Sequence, residues 1–191
     1  MRFPHLRVPL GPADQPVARH SIRRRLIAVS AVTLSCAGAG VAYSPQAVAA
    51  PPTAVQMEAA LFRMLNSERA SMRLPTLRRN ARLDNSAYAH NLLMARKNVM
   101  SHQVPGEISL AGRIHFYGYK WRAAAENVGW NSDMTVRGAL HLEQLMYFQK
   151  APNNGHRLNI LGQTSRDLGI DVWIDRVHHK IWLTEDFGTP A

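Results

Sequence analysis

Cysteine is nearly missing from this chain. The single Cys36 among 191 residues lies far upstream of the region that reads as folded. That excludes a disulfide-built scaffold and a cysteine nucleophile for everything that follows it. Other absences narrow the field further. There is no Gly-x-Ser-x-Gly elbow and no His-Glu-x-x-His helix, so neither a serine-hydrolase elbow nor a local zinc helix is present. No apolar run reaches the ~20 residues that a membrane span needs, and the part after residue 49 contains no repeats and no low-complexity tract.

Acidic side chains are also lacking from Ala18 to Pro52, where Arg23-Arg24-Arg25 precedes Leu26-Ile27-Ala28-Val29. Basic residues, a moderately apolar stretch to about Val41 and a small-x-small Ala47-Val48-Ala49 define a secretory signal over residues 1–49. Ser30, Thr33, Ser35, Gly38 and Gly40 make this stretch too polar for an anchor. The arginine pair fits a twin-arginine export signal loosely, and Ile22 fits the ordinary secretory route as well. Cys36 is read as an inert residue of the signal, because Thr33 stands where a lipoprotein site wants an aliphatic residue.

Residues 50–56 then form a linker, and 57–191 form one domain. The formal charge is +10, but the leader holds six of the 23 Lys and Arg and one of the 13 Asp and Glu. The remainder carries 17 basic against 12 acidic side chains, a charge of +5. So modest a charge argues against specific nucleic-acid binding and suits an anionic cell envelope. The basic clusters Arg78-Arg79 with Arg82, and Arg96-Lys97, read as solvated surface.

Thr53-x-x-Gln56 is a capping box, and Met57, Leu61, Met64, Leu65 and Met72 recur at helical spacing until Pro75. A second helix spans Asn80 to Asn98, with Leu83, Ala87, His90, Asn91 and Met94 on one stripe. A short helix through Leu110, Arg113 and Ile114 ends at Gly118. Ala125 to Trp130 reads as a short strand, and Asp133 caps a helix from Met134 to about Gln149. Leu168–Ile174 and Lys180–Phe187 are strands joined by a turn over Asp175–His179. Helices first and a closing hairpin indicate an α+β or layered α/β/α domain.

Three motifs carry the chemistry: Ser101-His102, Glu126-Asn127-Val128-Gly129, and Asn154-Gly155-His156-Arg157-Leu158-Asn159-Ile160-Leu161. Two imidazoles and a carboxylate suit either a divalent metal or a hydrogen-bonded polar network. Ser101 beside His102 is a weak nucleophile candidate, since adjacent loop residues rarely point together. His178-His179 falls on the turn and reads as surface.

With Leu65-Asn66-Ser67-Glu68-Arg69, Met100-Ser101-His102, Leu168-Gly169-Ile170 and Trp182-x-x-x-x-Phe187-Gly188, these motifs stand in the order of a known family. The chain resembles the CAP superfamily of cysteine-rich secretory, antigen-five and pathogenesis-related proteins, in its disulfide-free bacterial branch. The likeness runs from Leu61 to Gly188. It implies an α+β fold, a three-layer α-β-α sandwich around a central antiparallel sheet, with one large cleft. In the family two histidines and two glutamates line that cleft and in several members hold a metal. His102, His156 and Glu126 match three of them, and Gln149 stands where the second glutamate is expected. Glu143 is the alternative fourth corner. It lies roughly 120° around the helix from Gln149, so only one of the two can face the cleft.

The resemblance implies a secreted, monomeric protein outside the cell or at the envelope, binding an unidentified ligand, lipid or cell-wall component. It leaves the cofactor open between none and a divalent metal, zinc, magnesium or calcium. The alternative is a metal-dependent extracellular hydrolase in which Glu126 and His102 do the catalytic work.

Overall fold

A computed structural model describes residues 52–191. The expected signal region 1–49 lies outside the described residues. Five helices and four strands follow in the order α1 (Ala54–Ser71), β1 (Arg78–Arg79), α2 (Ala81–Lys97), α3 (Leu110–Phe116), β2 (Trp121–Asn131), α4 (Val136–Tyr147), α5 (Gly155–Ile160), β3 (Asp167–Asp175) and β4 (Lys180–Pro190).

The sequence signals for the first two helices operate as chemistry predicts. The Thr53 side chain accepts from the Gln56 N–H while the Gln56 side chain accepts from the Thr53 N–H, so two otherwise orphaned donors are satisfied. Asn80 caps α2, and Asn98 ends it in the left-handed conformation. For α4 the cap is Thr135 rather than Asp133, because the Thr135 hydroxyl accepts from Gly138 N–H. Asp133 acts one step back, accepting from the Thr135 N–H and hydroxyl.

The sheet runs in the order β1-β3-β4-β2. The three long strands are antiparallel, as expected, and β2 is eleven residues long rather than short. Beyond expectation, Arg78–Arg79 adds a two-residue parallel strand beside β3. No hydrophobic alternation marks it, so sequence gave it no signal.

One face of the sheet is covered by α1 and α4. Met57, Leu61 and Leu65, one stripe of α1, are fully buried against Leu168, Ile170, Leu183 and Phe187. Each such side chain contributes about 2 kcal/mol of burial. The opposite face carries α2, whose backbone at Leu83 comes so close to Gly169 that a Cβ there would overlap it. Trp182, Val128 and Met94 fill that side. This is the helix-sheet-helix layering inferred from the motifs. Among the described residues no helix is long and apolar enough to cross a membrane.

Candidate functional site

The site is built on β2, where successive side chains alternate between faces. Glu126 points toward α2 and α3, and Asn127 toward α1 and α4. Across the ladder they face Asp186 and Glu185 respectively.

Glu126 is buried and both its oxygens are engaged. Oε1 accepts from His102 Nδ1 at 2.9 Å, and Oε2 pairs with the Arg113 guanidinium. Burial alone would raise this carboxyl. The His102 hydrogen bond and the Arg113 charge outweigh it and hold the group below the usual carboxylate range. In return the hydrogen bond to Glu126 raises His102, against some desolvation. The His102 side chain remains 61% exposed, so this imidazole meets solvent with its other nitrogen free.

Gln149 and His156 form a second closed pair. The His156 N–H donates to Gln149 Oε1 at 3.2 Å, which fixes the amide so that its Nε2–H donates to His156 Nδ1 at 2.7 Å. Nδ1 is thus an acceptor, and the neutral ring carries its proton on Nε2. Burial, reinforced by the His102 charge, lowers the pKa of His156. Two asparagines tie the pairs together. Asn159 Nδ2 donates to Asn127 Oδ1 at 2.9 Å and to the Glu126 carbonyl at 3.1 Å, while Asn127 Nδ2 donates to the His156 carbonyl at 3.4 Å.

His102 is thus paired with Glu126 and Gln149 with His156, and the two pairs are linked through the asparagines. Gln149 stands just beyond the end of α4, against His156. Glu143 turns away into the core, fully buried among Glu68 of α1 and Glu185 of β4. Treated as carboxylates, both Glu143 oxygens and one each on Glu68 and Glu185 have no donor, and protons shared among the three supply it. Burial pushes Glu143 well above the ordinary range and Glu68 up to about 7. Ser101 spends its hydroxyl on its own turn, donating to the Gln103 carbonyl at 2.8 Å, and makes no bond to His102. His178 bonds Asp175 at 2.7 Å across the β3–β4 turn, away from the site.

Sequence reasoning missed the support beneath Glu126. Arg113 is buried, donating from Nε to Ser86 Oγ at 3.1 Å and from Nη1 to Glu107 Oε1 at 2.9 Å, with Nη2 3.6 Å from Asp186 Oδ1. Ser86 donates to Asp186 at 2.6 Å, and fully buried His90 lies 2.7 Å from Glu107. Burial and the Glu126 charge push Asp186 up to about 7. One signal was available: Arg113 shares the apolar stripe of its helix with Leu110 and Ile114, an arginine on a core face.

The metal implied by the resemblance does not fit these residues. A dication on Glu126 would lie against the Arg113 guanidinium, and the fourth corner is a neutral amide with both its polar atoms occupied. No three His, Cys, Asp or Glu side chains converge to hold a metal among the described residues. The free groups are the two remaining imidazole nitrogens, suited to hydrogen bonding.

Beside His156 a groove of about 220 Å³ follows the outer edge of β2 at Val128–Trp130, between Met100 and the α4 side chains Leu142, Leu145 and Met146. Gly129 makes the narrow junction with α4 feasible, because a Cβ there would lie 2.7 Å from Leu142 and 2.8 Å from Met146.

The model of the cysteine-rich secretory protein family, CAP, matches residues 62–187. A search of curated proteins returns no match. Among solved structures, an extracellular protein containing an SCP domain from Bacillus anthracis has 22% identity and a TM-score of 0.60, covering 73% of this chain and 45% of its own. This chain thus spans less than half of that relative. An outer surface protein of Borrelia burgdorferi has 12% identity and a TM-score of 0.61, with 71% of this chain and 94% of its own covered. The structure of NaASP2 with Zn2+ has 14% identity and a TM-score of 0.54, with 74% and 85% covered.

Proposed function

The chain belongs to the cysteine-rich secretory protein family, and from that premise we propose that it is a secreted, non-catalytic ligand-binding module acting outside the cell or at the envelope. The observation that carries this reading is the closure of both polar pairs. Glu126 is spent on Arg113 and His102, so it is not a free general base. The two imidazoles keep one nitrogen each for a ligand. Extracellular and outer-surface relatives of the same fold support the location.

The test is native mass spectrometry of the protein recovered from a secreting host, to identify whatever remains bound. His102→Ala and His156→Ala should each strip that ligand. Retention by both variants would sink the reading.

The alternative, a metal-dependent hydrolase, runs against the Arg113 guanidinium beside Glu126 and the neutral amide of Gln149. Calorimetric titration with zinc, magnesium and calcium separates the two. Saturable binding that His102→Ala and His156→Ala each weaken about tenfold or more would favour the hydrolase.

A further inference from the structure

The groove beside His156 combines three properties that together specify a ligand. First, it follows the edge of the sheet. In the order β1-β3-β4-β2, strand β2 is terminal, and every second residue of a terminal strand turns its N–H and C=O outward. Second, its sides are apolar and open: Met100 is 50% exposed, Trp130 46% and Leu145 58%. Third, one end is polar. There His156 offers its Nε2–H, held in that tautomer by Gln149.

We propose that this groove takes an extended peptide as an added strand on β2, with its terminal carboxylate at His156 and its last, apolar side chain among Met100, Trp130 and Leu145. The inference rests on the ligand-binding reading above and names the ligand's chemistry. Size favours a peptide end over a larger apolar molecule: about 220 Å³ is below the roughly 300–1,000 Å³ of clefts that enclose whole small molecules. It suits one large side chain. Backbone hydrogen bonds along an open edge supply affinity that depends little on sequence, and the side-chain pocket supplies selectivity. Charge agrees: Lys180 lies 4.5 Å over the Trp130 ring and attracts an anion to this edge.

The test uses fluorescein-labelled hexapeptides, Gly-Gly-Ala-Ala-Ala-X, with X as Phe, Leu, Met or Ser, and the Phe peptide also as its C-terminal amide. Polarisation is read at pH 6 with the purified protein. Saturable binding is expected for Phe, Leu and Met, with the Ser peptide and the amide weaker by about tenfold or more. Leu145→Glu and Met100→Glu, both at exposed positions, should each weaken the Phe peptide by about tenfold with an unchanged circular-dichroism spectrum. Three results overturn the proposal: no binding across the set, equal affinity for acid and amide, or indifference to Leu145→Glu. A non-peptide ligand that co-purifies and is lost in His102→Ala would overturn the peptide alone. A co-purified ligand retained by both histidine variants would instead remove the wider reading.

Discussion

Replacing Glu143 by Gln should make the domain more stable in alkali and leave it nearly unchanged in acid. Glu143 on α4 meets Glu68 on α1 and Glu185 on β4, with Asn127 of β2 donating to Glu185 at 3.2 Å and the Arg157 charge of α5 acting on Glu68. Three carboxyls here share protons, and their pKa values are raised by burial. A raised folded-state pKa means stability that is fully present below the unfolded value and is lost as pH rises through the folded one. For Glu68 the window runs from 4.5 to about 7, and Glu143, pushed well above the ordinary range by burial and by its two carboxylate neighbours, loses stability in the same direction as pH rises. Glutamine has the shape of the protonated acid and donates two N–H groups to the neighbours, with no charge to acquire. Glu143→Gln should therefore gain stability relative to the parent as pH rises from 4.5 to 8, and change it by less than about 1 kcal/mol at pH 4.5. Urea unfolding followed by tryptophan fluorescence at pH 4.5, 6, 7 and 8 reads both values. Asp186 and Asp171 also titrate upward, but they are common to both proteins and cancel in the difference. A difference between variant and parent that stays constant with pH, or a variant weaker at pH 8, would refute the shared-proton account.

Three other changes test the remaining supports. Arg113→Met leaves Glu107, Glu126 and Asp186 buried without their cation, and should cost about 3–5 kcal/mol in urea unfolding at pH 7. Glu126→Gln should bring the His102 pKa down toward its ordinary value, read by NMR titration of the ring protons; an unmoved midpoint would mean that Glu126 is not its cause. Arg69 is buried and donates to the carbonyls of Pro75, Ile160 and Gly162 at 2.9, 2.7 and 3.0 Å. Arg69→Leu should destabilise by about 3 kcal/mol, since those carbonyls lose a charged donor.

What was legible in the sequence was whatever depends on spacing along one segment. The Thr53 capping box, the Asn80 cap and the Met57-Leu61-Leu65 stripe each state their structure within a few residues. The order of motifs made His102, Glu126 and His156 candidates for one site because the chain resembles a family whose fold gathers them. What stayed hidden was pairing between distant segments. Nothing local says that Arg113 inserts beneath Glu126, since its partners Ser86, Glu107 and Asp186 come from three other places in the chain. Glu143 was ambiguous for the same reason. A helical wheel separates it from Gln149 but cannot say which side meets the cleft, and burial against Glu68 and Glu185 decides it. The two-residue β1 escaped because backbone hydrogen bonds to the Arg166 and Leu168 carbonyls, not side-chain pattern, define it.

The alternation of Glu126 and Asn127 across β2 also has a consequence for how this chain can change. The two residues are neighbours in sequence, yet each belongs to a separate polar network on its own side of the sheet, opposite Asp186 and Glu185. Strand parity therefore works as a reading frame. Inserting one residue between Arg122 and Glu126 would move Glu126 to the position Asn127 now holds, a fourth carboxylate among Glu68, Glu143 and Glu185, and leave the residue before it facing the Arg113 guanidinium. Both sides would fail at once, whereas an insertion of two residues would restore the parity. The two halves of the site are thus locked to one another by the pleat itself, and neither can be shifted by a single position while the other is kept.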